Sequence, residues 1–292
     1  MEPYRVCVPL RWVDLDAQGH ANNAAIVDYL QEARVEFLLT GPNAHLLGNG
    51  IIVVGHQVEY LGPIFFTPEP LDVALVVGDV GAAKFTVGYE VRQCGELVAR
   101  ARTVLANFDF EAGRPARLSD AERAWFAERA VALEPLRSVG GFALGEAHHT
   151  LPFQVRWSDL DAYGHANNTR FFDYVAEARV ALKSPVLANS IRMNPLDDVE
   201  HAWLVVRQDM RYVGQIVHRL EPYEVHTAIG ATGRTSMTLA AEIVDPLSGA
   251  VMSRSTTVLV HGDAQGRAQP LPPEMLQLAA AWPAAPTGRP LV

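Results

Sequence analysis

The sequence is poor in cysteine and in lysine. Its two cysteines, Cys7 and Cys94, lie in one half of the chain and have no metal-binding spacing, so neither a disulfide framework nor a zinc-type cysteine site is indicated. The only lysines are Lys84 and Lys183, so arginine must supply most of the positive charge. Two free thiols are typical of a reducing compartment, and we expect a cytoplasmic location.

Long apolar runs and an excess of positive charge are also missing. No apolar run reaches the roughly 18 residues that a membrane helix needs, and the N-terminus lacks the basic, apolar and small-residue order of a signal peptide. The net charge of −9 disfavours a surface for nucleic acid or for an anionic membrane. Hydrophobic residues make up 49% of the chain, which is enough for a folded core. We therefore expect a folded protein with no nucleic-acid or membrane partner.

What the sequence does contain is a tandem repeat. The segment 11–35 returns at 156–180, an offset of 145 residues, with 17 of its 25 positions identical. Later matches, such as Tyr60 with Tyr212, follow at an offset of 152, because the second half is seven residues longer between about 183 and 202. A period this long indicates a duplicated domain and not a solenoid.

Both halves have the same predicted order of secondary structure. A strand precedes the repeated motif, an amphipathic helix follows it at 24–39 or 169–182, and four strands without an intervening helix come next. One long helix with a run of antiparallel strands indicates an α+β unit whose sheet wraps the helix. A further helix with a Ser119–Glu122 capping box is predicted at 119–133. The predicted organisation is a first domain at 1–137, a linker at 138–149, a second domain at 150–282 and a flexible tail at 283–292.

The repeated motif places acidic and amide side chains between a strand and a helix. In the first half it reads Asp14-x-Asp16-x-x-Gly19-His20-x-Asn22-Asn23, and the second half repeats it over 159–168. The backbone amides of a helix N-terminus favour negative charge, so a carboxylate there could activate water while the amides hold an oxyanion. A base beside an oxyanion site is the minimum apparatus for acyl hydrolysis.

Structural roles compete with this interpretation. Asp and Asn before a helix usually cap it, and glycine usually serves the turn. His20 and His165 would more often stabilise a turn than act in catalysis, because the motif has no nucleophilic Ser or Cys. A metal site at Asp14, Asp16 and His20 is disfavoured, since the chain lacks the His or Cys spacing typical of zinc. We expect no metal and no redox cofactor.

The helix carries a repeated acidic pair. Asp28 and Glu32 share one face at a spacing of four, and Asp173 and Glu177 repeat them. A solvated or ion-paired face is the simplest explanation. A role near the reacting groups is the alternative, because a helix buried in its own sheet has little solvated face.

This arrangement resembles the hotdog-fold thioesterases, in particular the 4-hydroxybenzoyl-CoA thioesterase type and the acyl-ACP thioesterases. The resemblance rests on W-x-D-x-D-x-x-G-H-x-N-N before a long helix with an E-A-R segment, and it covers both halves nearly end to end. It implies that each sheet wraps its helix and that two hotdogs pair so that sites form between them. It also implies hydrolysis of acyl-CoA or acyl-carrier-protein thioesters with no cofactor, since CoA is part of the substrate.

The resemblance further implies roles for single residues. The catalytic aspartate of the 4-hydroxybenzoyl type falls on Asp16 and Asp161, and the amide that polarises the thioester carbonyl falls near Asn23 and Asn168. Other motif positions would support catalysis or contact the substrate. These are His20 and His165, Asn22 and Asn167, and Gly19 and Gly164.

Two departures bound the resemblance. The aromatic or aliphatic residues that usually follow glycine in the 4-hydroxybenzoyl type are absent, so that substrate is not implied. Gln18 is replaced by Tyr163, and the second half is longer after its helix, so we expect two unequal sites.

The resulting hypothesis is a tandem acyl thioesterase of lipid metabolism, whose halves form a pseudo-dimer that could assemble further. A non-catalytic acyl-CoA-binding protein is the alternative. A hotdog hydratase is disfavoured, because the motif of that family is missing.

Overall fold

The computed structural model describes residues 2–16, 19–182, 202–263 and 265–292. The chain forms two compact units: unit 1 comprises Met1–Leu15 and Gly19–Arg137, and unit 2 comprises Asp16–Gln18 and Ser138–Val292. Gln18 and the segment in which the second half was predicted to be longer, up to residue 201, lie outside the described residues.

Unit 1 is an antiparallel sheet with one long helix. Its elements are β1 (Tyr4–Val8), α1 (Asn23–Leu39), α2 (Leu46–Asn49), β2 (Ile51–Tyr60), β3 (Leu71–Val80), β4 (Lys84–Gln93), β5 (Glu96–Asp109), β6 (Arg114–Pro115) and α3 (Asp120–Ala127). The main strands are ordered β1-β3-β4-β5-β2, and all neighbours are antiparallel. Helix α1 packs against β1 and β3.

Helix α1 forms the core of unit 1, as the sequence predicted. Val27, Leu30 and Ala33 have no exposed surface, whereas Glu32 is exposed. On the sheet, the alternate residues of β4, such as Val87, are buried as well. Complete burial of a leucine contributes roughly 1.5–3 kcal/mol. The helix is therefore held by its packing more than by its intrinsic helix propensity.

Unit 2 repeats the same plan. Its elements are β7 (Gly140–Leu144), β8 (His149–Phe153), α4 (Arg170–Ala181), β9 (Ala202–Tyr212), β10 (Tyr223–Thr232), β11 (Ser236–Asp245), β12 (Ala250–Gly262), α5 (Pro273–Ala281) and β13 (Ala284–Pro290). The main strands are ordered β9-β12-β11-β10-β8, again with antiparallel neighbours. The predicted helix and strands of both halves are confirmed to within a few residues.

Helix α3 is shorter than predicted. Its capping box at Ser119 and Glu122 is present, but the helix ends at Ala127 and not near 133. The chain leaves the helix because Ala130 bridges Val77 and the Val131 N–H donates to the Val77 carbonyl at 2.9 Å. Pairing with the β3 edge replaces the last turns of the helix.

The structure also differs from the predicted linker and flexible tail. Strand β7 lies within the proposed linker and pairs antiparallel with β13, which lies within the proposed tail. Phe142 of β7 packs directly on the sheet at Gly230, where an added Cβ would be 2.6 Å from the ring. The proline-rich end of the chain gives no local signal of this strand, because its pairing partner is about 140 residues away in sequence.

Two expectations from composition can be checked on the described residues. Cys7 and Cys94 are exposed and unbonded. Within the described ranges, no helix has both the length and the apolar character required to cross a membrane.

Candidate functional site

Asp14 is a structural anchor of the first motif copy. It is the last residue of a 3-10 turn over Trp12–Asp14 and is buried. It accepts hydrogen bonds from the Arg11 guanidinium and from Tyr29 Oη, both at 2.8 Å. Burial alone would raise the pKa of Asp14, but the hydrogen bonds from Arg11 and Tyr29 outweigh it and hold that pKa below its ordinary value. Burial, together with the bond to Asp14, raises the pKa of Tyr29. Asp14 is thus a hydrogen-bonded carboxylate with a lowered pKa, and it is poorly suited to take a proton from water.

The second copy repeats this anchor. Tyr174 Oη donates to Asp159 at 2.8 Å, and the Arg156 backbone N–H donates to the same carboxylate at 2.9 Å. Burial and the bond to Asp159 raise the pKa of Tyr174. The aspartate–tyrosine contact spans 15 residues in each copy, and retention of the tyrosine in both halves was its only sequence signal.

Each motif copy then forms a tight loop between the anchor and the helix. One antiparallel bridge closes each loop, at Leu15–Ala21 and at Leu160–Ala166. Gly19 and Gly164 have φ values of +80° and +79°, in the left-handed region that favours glycine. The loop therefore needs these glycines for its backbone path.

The two predicted catalytic aspartates lie in these loops. Asp161 Oδ1 accepts hydrogen bonds from the N–H groups of Tyr163 at 2.9 Å and His165 at 3.1 Å. The Asp161 N–H in turn donates to the His165 carbonyl at 2.7 Å. Asp16 holds the same motif position in the first copy and is partly exposed. Each aspartate is thus carried by a short, closed loop that leads into the helix.

The histidines connect these loops to the segment after the next strand. His20 bridges Phe65, and the two rings meet edge-on at 5.1 Å between centroids. His165 forms the equivalent bridge with Val217. These contacts of His20 and His165 agree with a turn-stabilising role. The sequence had left that role open beside a catalytic one.

The asparagines of the first copy begin helix α1. Asn22 is the N-cap, and its Oδ1 accepts a hydrogen bond from the Ala24 N–H at 3.0 Å. Asn23 is the first helical residue, so its N–H has no intrahelical acceptor, and no other group among the described residues accepts it. Tyr60 Oη donates to the Asn23 carbonyl at 3.3 Å. An open amide at the positive end of a helix is the group that an oxyanion site requires.

The second copy differs in detail. Asn168 is the counterpart of Asn23, but helix α4 begins two residues later, at Arg170. Asn167 Oδ1 accepts hydrogen bonds from the Thr169 N–H at 3.1 Å and from Asn168 Nδ2 at 3.2 Å. Tyr212 Oη donates to the Asn168 carbonyl at 2.7 Å. Tyr212, like Tyr60, matched in the repeat, but sequence reasoning missed that both tyrosines fix the start of the helix.

The repeated acidic pair on the helix lies largely outside this arrangement. Glu32 and Glu177 are exposed, which agrees with a solvated face, and Asp173 is paired with Arg170 at 2.8 Å. Within the described residues, no group of three His, Cys, Asp or Glu side chains is arranged to hold a metal ion.

An exposed tryptophan borders each motif. Trp12 is 74% exposed and meets Phe66 edge-on at 5.6 Å, while Trp157 is 77% exposed and meets His218 at 5.4 Å. Tryptophan is usually well buried. Each loop therefore begins beside an exposed, flat apolar surface.

A long helix packed in a five-stranded antiparallel sheet, present twice, defines a double hotdog fold of the α+β class. The family model described as the thioesterase-like superfamily matches residues 10–126 and 155–279, one match in each half. The chain belongs to the thioesterase-like superfamily.

Solved structures show the same fold along most of the chain. An acyl-ACP thioesterase from Bacteroides thetaiotaomicron is similar with a TM-score of 0.65 at 14% identity, covering 88% of this chain and 96% of that chain. The 12:0-ACP thioesterase from Umbellularia californica is similar with a TM-score of 0.65 at 16% identity, covering 89% and 97%. At these identities the similarity shows the fold alone. No curated protein sequence matches the chain.

Proposed function

We propose that this protein is an acyl thioesterase that hydrolyses acyl-CoA or acyl-carrier-protein thioesters in the cytoplasm. The observation that carries the proposal is a carboxylate loop before the helix in each half: Asp16 precedes Asn23, the first residue of α1, and Asp161 precedes Asn168, which lies two residues ahead of α4. Membership of the thioesterase-like superfamily supports the same class of reaction.

In the proposed reaction, Asp16 or Asp161 takes a proton from a water molecule as that water attacks the thioester carbonyl carbon. The tetrahedral oxyanion accepts a hydrogen bond from the backbone amide at Asn23 or Asn168, a contribution that is typically about 10²–10³ in rate for one such donor. The C–S bond then breaks, and the carboxyl group returns its proton to the thiolate. The products are a carboxylic acid and a free thiol. Direct attack by the aspartate, followed by hydrolysis of the resulting anhydride, would use the same groups.

The remaining motif residues position these groups in the proposal. The anchor from Tyr29 to Asp14 fixes the start of the loop, and its counterpart from Tyr174 does the same in the second copy. The others hold the loop and the helix start, and could also contact the substrate: Gly19, His20 and Asn22 in the first copy, and Gly164, His165 and Asn167 in the second.

One observation favours the alternative of a non-catalytic acyl-CoA-binding protein. Asp161 Oδ1 already accepts two loop amides, and a carboxylate stabilised by amides is a weaker base. A binding protein would bind acyl-CoA with saturation and release no thiol.

The test measures thiol release from a panel of acyl-CoA thioesters of different chain length. The assay protein carries Cys7→Ser and Cys94→Ser, because both native thiols are exposed and would react with a thiol reagent. In this background, the double variant Asp16→Asn/Asp161→Asn should lose about 10²–10⁴ in turnover while its circular dichroism stays unchanged.

Glu32→Gln/Glu177→Gln is the matched control, since it removes two exposed carboxylates from the two helices that follow these loops. Turnover close to the unmutated value in the aspartate double variant would overturn the assignment of the base. Saturable binding of the whole panel without thiol release would favour the binding protein.

A further inference from the structure

Unit 1 contains an open groove at the start of β1. Its volume is about 320 Å³, within the range of small-molecule sites. The groove lies between the first residues of β1, the C-terminal half of α1, the middle of β3 and the segment after α3. Tyr4, Phe37 and Val77 are among its wall residues, and Glu2 and Arg129 are its charged ones. None of its lining residues belongs to the Asp-Asn motif.

Arg129 is the cationic group of the groove. Its guanidinium stacks over the Trp125 ring at 4.0 Å, its Nη1 donates to the Trp125 carbonyl at 2.9 Å, and Glu128 lies 3.7 Å from Nη1. All polar contacts recorded for this side chain within the described residues are made by Nη1. A guanidinium carries five N–H donors. Nε and Nη2 therefore keep donors for a ligand.

Unit 2 provides an internal comparison for this position. Val77 and Ile229 are counterparts at the repeat offset of 152, and each forms a parallel bridge with the chain that follows its second helix. The bridging residue is Ala130 in unit 1 and Pro283 in unit 2. The residue just before the bridge is thus Arg129 in unit 1, where unit 2 has a tryptophan.

That tryptophan fills the position in unit 2. Trp282 packs against the buried core of its unit, which includes Leu182 and Ile229. Its ring centroid lies 5.3 Å from that of His149, the counterpart of Tyr4 at the offset of 145. One fold therefore has two versions of this position: an indole ring occupies it in unit 2, and unit 1 leaves it open beside an arginine.

We propose that the groove of unit 1 binds a small aromatic carboxylate. Because the Trp282 side chain occupies this position in unit 2, a ligand with a planar ring of about indole size should fit it in unit 1. In unit 1 such a ring would meet Phe37 and Tyr4, which already contact each other edge-on at 5.4 Å. The carboxylate would pair with the free donors of Arg129. This site is separate from the motif, so the proposal does not rest on thioester hydrolysis.

The carboxylates around the groove should make ligand binding sensitive to the ligand's charge. Glu2 lines it, Glu36 accepts a hydrogen bond from Tyr4 Oη at 3.3 Å, and Glu128 is near Arg129. These groups repel an anion, so Arg129 must supply the attraction. Removing the charge of Glu2 should then strengthen binding of an anion, whereas it should leave a neutral ligand unaffected.

The experiment titrates the full chain with indole-3-propionate and with its neutral amide, by calorimetry or ligand-detected NMR. We expect saturable binding of the acid that Arg129→Gln weakens about tenfold, the effect of one charged hydrogen bond at a partly exposed site. Arg129→Trp, which copies unit 2, should abolish binding of both compounds. Glu2→Gln should tighten the acid a few fold and leave the amide unchanged. Arg123→Gln, on the preceding helix α3 and outside the groove lining, is the control.

Three results would overturn the proposal. One is an absence of saturable binding to the unmutated chain. Another is equal binding by the unmutated chain and Arg129→Trp, with a thermal melt showing that the variant is folded. The third is equal affinity for acid and amide in every variant. If Arg129→Trp fails to fold, the opposite shifts expected for Arg129→Gln and Glu2→Gln decide the question.

Discussion

Replacement of Tyr29 by phenylalanine tests whether the buried anchor holds the motif. The substitution keeps the ring in place and removes only the hydroxyl that donates to Asp14 at 2.8 Å. Hydrogen bonds to charged groups contribute about 1.5–3 kcal/mol. Asp14 keeps its guanidinium partner Arg11, so we expect a loss at the lower end, about 1.5–2 kcal/mol.

The loss should depend on pH in a defined direction. The folded-state pKa of Asp14 lies below its ordinary value, so its ionised form stabilises the fold above the unfolded pKa of about 4. That contribution disappears as the pH falls through the folded-state pKa. The Tyr29 hydroxyl is one cause of the lowered pKa. The difference between wild type and Tyr29→Phe should therefore be full at neutral pH and shrink below about pH 4.

Urea unfolding followed by circular dichroism at several pH values measures both effects. Tyr4→Phe is the control, because the Tyr4 hydroxyl makes exposed hydrogen bonds, with Glu36 and Thr40. Substitutions at exposed positions usually change stability by less than about 0.5 kcal/mol. Equal losses for Tyr29→Phe and Tyr4→Phe, or a Tyr29→Phe loss that persists at acid pH, would refute the anchor.

Other outcomes follow from features of single sites. Measured separately on long acyl chains, Asp16→Asn should cost more turnover than Asp161→Asn, because Tyr163 stands beside Asp161 where the first copy has Gln18 and should narrow the acyl site there; equal losses or the reverse order would contradict unequal sites. The hydrogen bond from Arg219 holds the pKa of Asp245 at about 2. Arg219→Gln should therefore be less stable than the wild type above about pH 4, and this difference should fade as the pH falls to about 2. A pH-independent difference in acid titrations would oppose this. Gly230→Ala should destabilise unit 2 by about 1–3 kcal/mol, since a Cβ at this position would be 2.6 Å from the Phe142 ring. In thermal melts, the double variant Gly230→Ala/Phe142→Ala should recover part of that loss. If it recovers none, the clash does not involve Phe142.

The core could be predicted from the sequence because its signals are local. The change from a period of two to a period of 3.6 located α1, and the alternation of residues such as Phe85 and Val87 located β4. The Ser119–Glu122 capping box that begins α3 was likewise predicted from residues close in sequence.

The parts that were missed depend on distant contacts. The contact of Tyr29 with Asp14 spans 15 residues, and pairing of β7 with β13 joins segments about 140 residues apart. Neither has a local pattern. The residue pattern alone could therefore not separate Asp14 from Asp16. The family resemblance favoured Asp16, and the fold adds that Asp14 is a buried, hydrogen-bonded anchor.

The pairing of β7 with β13 has a consequence for how this protein can be engineered. The register places Gly140 beside Pro290, so the first and last strands of unit 2 lie next to each other. A domain whose ends are neighbours can be inserted into a host loop or circularly permuted with a short connector. Unit 2 therefore has the geometry that such a rearrangement requires.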